Sequence, residues 1–150
     1  MNASSFRFRL ERVRGLRERK EDAAKQALVV ALAHHAHGEQ ALRTAENRLA
    51  SARAAQLQAT ATATNANDLL AHQAYIERSE AARRASRDEF ARRERELAHR
   101  RDVLTAASRD RQALERLKQH RREEHEREVA RQEGMALDEI AITRYRRSAA

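Results

Sequence analysis

Residues 59–68 read ATATATNAND, and this stretch decides the fold. Thr60, Thr62 and Thr64 lose rotamer freedom in a helix, and the Asn65, Asn67 and Asp68 side chains compete with helical hydrogen bonds. On both sides the chain is built for helix. Proline is absent, and glycine occurs only at 15, 38 and 134, so nothing breaks the backbone ladder over long distances. The reading is a helix over about 5–58, a turn over about 59–68 and a second helix over about 69–145, with Asn65, Asn67 or Asp68 eligible as its N-cap.

Outward from the turn, apolar positions recur at helical spacing. Phe6, Leu10, Val13, Ala24, Leu28, Ala31, Leu42, Ala45, Leu49 and Ala52 mark one face of the first helix. Ile76, Phe90, Leu97 and Leu104 lie on one seven-residue ladder of the second, continued by Leu114 and Leu117. Folding the chain about its turn brings together residues whose numbers add to about 132, pairing Leu42 with Phe90, Leu28 with Leu104 and Leu16 with Leu117. Leu, Ile, Val and Phe are only 25 of 150 residues, too few for a globular core and close to the composition of disorder. The periodicity decides for order. The expected fold is all-α: a single long two-helix antiparallel coiled-coil hairpin spanning 1–150, roughly 80–110 Å long.

The 31 basic and 23 acidic residues leave a formal charge of +8, a mixed surface with a basic bias. Such a bias raises encounter rates with acidic proteins, nucleic acid or anionic membrane. Arg7, Arg9, Arg12, Arg14, Arg17, Arg19 and Lys20 form the candidate docking strip for an acidic protein. Arg83, Arg93, Arg100, Arg111 and Lys118 fall at or near the seam, where their heads need carboxylates or water. Cysteine is absent, which fits a reducing compartment. The longest apolar run, Ala27–Ala33, rises only about 10 Å, far short of a bilayer. Met1–Leu10 carries no signal-peptide pattern, so the expected location is cytoplasmic.

Little in the sequence carries chemistry. His34 and His37 lie three residues apart with His35 between them and Glu39 beyond, but no second ligand pair completes a metal site. The run Glu123, Glu124, Glu126 and Glu128 alternates with Arg121, Arg122, Arg127 and Arg131, a pattern of paired charges on a solvated face. No phosphate loop or nucleophile elbow is present. The reading is therefore non-enzymatic, with no catalytic, cofactor or metal residues and no cofactor. Nucleic acid is a disfavoured partner, because Phe6, Phe8, Phe90, Tyr75 and Tyr145 are the only rings able to stack on bases.

The opening FRFRLERVRGLRERKEDAAKQAL at 6–28 and the closing LERLKQHRREEHEREVARQEGMALDEIA at 114–141 resemble the flagellar export protein family FliJ. Phe8, Leu10, Val13, the RERKEDAAK run at Arg17–Lys25, Leu114–Lys118 and Leu137–Ala141 carry the resemblance, with a polar tip between. It covers nearly the whole chain.

The resemblance implies a two-helix coiled coil similar to the shaft of rotary ATPases, acting in the flagellar type III export apparatus. It implies that the terminal end enters the pore of the hexameric export ATPase FliI and promotes its assembly. Other implied partners are the export-gate protein FlhA and export chaperones, met at the cytoplasmic face of the inner membrane, with membrane association only through the apparatus. On this basis Phe6, Phe8, Leu10, Val13, Arg14, Arg17, Leu137 and Ile140 are the candidate ATPase-end residues, the apolar ones either packing together or anchoring to the ATPase directly. Tyr75 and Ile76 are the candidate gate residues. The first helix has alanines and arginines over Ala45–Leu57 where the family often has tyrosines. Competing readings are the equivalent stalk of a virulence type III secretion system, a basic nucleic-acid- or membrane-binding coiled coil, and a structural dimer.

Overall fold

A computed structural model describes residues 5–62 and 65–148. Ala63 and Thr64, in the middle of the expected turn, lie outside the described residues, as do 1–4 and 149–150. Two helices, α1 (Glu11–Ala61) and α2 (Ala66–Ser148), pack antiparallel as a helical hairpin, with no strand among the described residues.

The polar tip closes both helix ends. Thr60 and Thr62 donate their hydroxyls back to the Gln56 and Gln58 carbonyls at 2.8 and 3.1 Å. The hydroxyls share these carbonyls with backbone donors, the Gln58 carbonyl also accepting from the Thr62 N–H at 3.1 Å. Across the tip, Asn65 Oδ1 accepts from the Asp68 backbone N–H at 2.9 Å. Asn65 is thus the N-cap, and Asp68 adds a negative charge to the positive end of the helix dipole.

By contact density the chain divides into two compact units, Asp22–Thr105 and the described parts of 1–21 with 106–150. In the first, the buried α1 positions 24, 31, 38, 45 and 52 fall seven apart, and each is alanine or glycine. This small-residue row leaves space for larger side chains of α2. Ile76 packs on Leu49 and Ala52, and Leu97 is likewise buried. Each such aliphatic burial stabilises by roughly 1.5–3 kcal/mol.

Gly38 is where the approach is tightest. A Cβ there would lie 2.9 Å from Arg93 Cδ and 3.5 Å from Phe90 Cδ2. Arg93 is pinned over it, donating from Nη1 to the His34 carbonyl at 2.7 Å and from Nε to Glu89 at 2.9 Å. His35 stacks beside Phe90 with ring centroids 5.0 Å apart. The Phe90 ring is therefore seated by His35 and Gly38, one turn of α1 before Leu42. Gly38 opens a slot that a larger side chain would fill.

In the second unit the seam is polar. Among the described residues none of the buried apolar ones falls here; Leu10, Val13, Leu16 and Leu117 stay 38–47% exposed. Ion pairs cross between the helices instead: Arg17 to Asp110 at 2.7 Å, Lys118 to Glu11 at 3.1 Å, Arg14 to Glu115 at 3.4 Å, and Arg111 to the buried Glu21. The seam cations Arg111 and Lys118 thus reach carboxylates across the seam. Arg93 and Arg100 find theirs on α2 itself, and Arg83 Nε is buried without a hydrogen-bond partner.

Leu97→Ala should lower stability by ~2–4 kcal/mol in a urea titration followed by circular dichroism. Gly15 has nothing within 4 Å of an added Cβ, so Gly15→Ala should gain ~0.5–1 kcal/mol from helix propensity alone. Gly38→Ala should show no such gain, because the new methyl displaces Arg93 from the His34 carbonyl.

Candidate partner-binding site

Two places in the hairpin present side chains to a partner. At the terminal end, residues 5–8 form a non-helical arm before α1. Burial alternates along it. Phe6 and Phe8 turn half-buried toward α2 while Arg7 and Arg9 face out. The Phe6 ring lies 5.8 Å from that of His125. Phe6, Phe8 and Leu10 line an open groove of about 840 Å³ with Leu117, Arg121 and His125 of α2.

The eight residues singled out for this end are not one cluster. Phe6, Phe8 and Leu10 line the groove, and Val13 lies 39% exposed one turn further along α1. Arg14 and Arg17 are engaged within the hairpin, Arg14 with Glu11 at 2.6 Å and with Glu115, Arg17 with Asp110. The described part of the arm, from Ser5 on, lies against α2 at His125 and Glu128; Leu137 and Ile140, further along α2, are 66% and 50% exposed. Met135, Ile142 and Tyr145 are similarly open.

Carboxylates near this end are held ionised. The Arg14 guanidinium, with Lys118, keeps the Glu11 carboxyl below its usual range. Glu128 is pulled down to about 2 by its hydrogen bonds from Arg131 and Gln132. The α2 acids that line the groove are thus neutralised by α2's own donors: Glu128 by Arg131, Glu124 by Arg121 at 3.0 Å.

Toward the tip, Ile76 and Tyr75 separate by function. Ile76 is buried in the seam, whereas Tyr75 is 42% exposed with the Arg78 guanidinium 6.0 Å from its ring. Shallow grooves flank the ring, one lined by Ala55, Ala59 and His72, the other by Thr44, Ser51 and His72. Arg53 pairs with Glu80 at 2.7 Å nearby and holds that carboxyl below its usual range. The small α1 side chains here, which from sequence are merely the absence of aromatics, leave room on both sides of Tyr75. His72 is the residue that sequence reasoning missed, and it carried no spacing signal.

Among the described residues no group of three or more His, Cys, Asp or Glu side chains is arranged to hold a metal ion, and no helix is long and apolar enough to cross a membrane. The geometry supplies contact surfaces.

By fold the chain belongs to the class of two-helix antiparallel hairpins. The family model described as Flagellar FliJ protein matches residues 6–150, essentially the whole chain. The chain belongs to this family and is a non-catalytic component of the flagellar export apparatus. Comparison with curated proteins and with solved structures gave no match.

Followed by carbon-13 NMR, Glu128 should titrate at about 2, and Arg131→Ala should return it toward 4.5. Because the folded value is depressed, the pair's support of α2 is complete above the ordinary value of 4.5 and fades as pH falls through about 2.

Proposed function

We propose that the chain is the central shaft of the export ATPase: its terminal end enters the ring of the FliI hexamer and promotes ring assembly and hydrolysis. The surface around Tyr75, backed by Ile76, meets the export gate FlhA, and export chaperones are carried on the same protein. The work is done at the cytoplasmic face of the inner membrane. Membership of the FliJ family supports this reading.

The observation that carries it is the end of α2. Met135, Leu137, Ile140, Ile142 and Tyr145 are all half or more exposed. At about 100° per residue, Met135, Ile142 and Tyr145 lie on one side of the helix and Leu137 and Ile140 on the other. A partner docking against one face would leave the rest of this apolar surface in water. A helix apolar on opposite sides is one that expects to be surrounded, and a ring of subunits surrounds it. Contact with several subunits at once stabilises the assembled ring by linkage, so no catalytic residue is required on the shaft.

The test is the ATPase rate of FliI across a titration of this protein, with oligomeric state read by light scattering. The full chain should stimulate hydrolysis and shift FliI to hexamers; neither effect would overturn the reading. The double variant Leu137→Asp, Ile140→Asp should keep its helicity yet need roughly 30-fold more protein for the same stimulation, the loss of about 2 kcal/mol typical of a central contact. Tyr75→Ala should weaken FlhA binding roughly tenfold, about 1.4 kcal/mol, and leave ATPase stimulation unchanged.

A further inference from the structure

We propose that the terminal unit is a charge-fastened clasp, which opens under ionic screening while the unit Asp22–Thr105 stays paired. The inference stands on the distribution of forces and does not require the shaft reading. Among the described residues every buried apolar one, Ala24, Ala31, Ala45, Leu49, Ala52, Ile76 and Leu97, lies within Asp22–Thr105. In the terminal unit ion pairs link α1 to α2, Glu11 with Lys118, Arg14 with Glu115, Arg17 with Asp110, and Glu21 with Arg111, and among the described residues' ring contacts there the arm ahead of α1 adds only that of Phe6 with His125.

Screening acts on the two units differently. Apolar contact is not weakened by simple salt, whereas attraction between solvent-facing charges falls as the Debye length shrinks from about 10 Å at 0.1 M to about 3 Å at 1 M. The pairs of the terminal unit are of the screened kind. The carboxylates Asp110, Glu115 and Glu11 are 52%, 50% and 49% exposed, and their partners Arg17, Arg14 and Lys118 are 37%, 26% and 32% exposed. Only the Glu21 carboxylate is buried, at the unit's inner edge. The clasp therefore frays from the arm inward and halts near Glu21. Opening bares Leu10, Val13, Leu16 and Leu117, which are already 38–47% exposed when it is shut. A strongly charged partner could release it just as salt does, by competing for the same arginines and carboxylates.

The chain contains no cysteine, so introduced pairs can be spin-labelled uniquely. Val13→Cys with Gln119→Cys reports on the terminal unit and Ala50→Cys with Ala81→Cys on the other; all four positions are exposed. Pulsed electron resonance distances are recorded from about 0.05 M to about 1 M NaCl, the range that collapses the Debye length. The expected result is a terminal distance distribution that broadens and lengthens with salt beside an unchanged internal one. Asp110→Asn with Glu115→Gln should move that broadening to lower salt. A terminal distribution unaffected up to the highest salt, or two distributions that broaden together, would overturn the proposal.

Discussion

In the unit Asp22–Thr105 the hairpin depends on one spacing, the row Ala24, Ala31, Gly38, Ala45 and Ala52 on α1. Seven residues make two helical turns to within about 20°, so successive members of the row stay near one side of α1 and can face a partner helix. Because each member carries a methyl group or less, the volume between the helices is left to α2, and Ile76, Phe90 and Leu97 supply it. Most of the apolar material is alanine, and two helices can still bury enough when the small residues are gathered on one line.

The same arrangement divides the molecule by the kind of force that holds it. Where the small row runs, the seam is apolar and hydrogen bonds are accessory, as with Arg93 on the His34 carbonyl. Where it ends, at Glu21, a buried carboxylate takes its place and the seam becomes a set of ion pairs. Exposed pairs of this sort are individually weak, roughly 0–1 kcal/mol each. Their geometry matters more than their strength, since opposite charges must match in order along both helices and so hold the register. The exposure of Leu10 and Val13 is a consequence, because a charged seam cannot cover them.

The candidate surfaces were legible to unequal degrees. Phe6 and Phe8 announce themselves by alternation with arginines, a pattern that in an extended arm separates an inner from an outer face. Tyr75 stands out as one of two tyrosines, but the grooves beside it depend on Ala55 and Ser51 from the other helix and on His72. None of those three has a distinctive spacing. The neighbours Tyr75 and Ile76 look alike in one dimension; one step around the helix axis puts the first in solvent and the second in the seam.

By itself the sequence determined the two helices, the place of the tip, the hairpin and the family, because these follow from local propensity and from a period repeated along the chain. Tertiary structure alone decided the seating of Phe90 on Gly38, the choice of Asn65 as cap, and the pairing of Arg111 with Glu21. Each of those depends on which atoms of one helix lie against the other, and an alanine-rich periodic sequence offers several alignments of similar pattern. The glycine slot at residue 38 and the complementary charges single one out only when both helices are present in space.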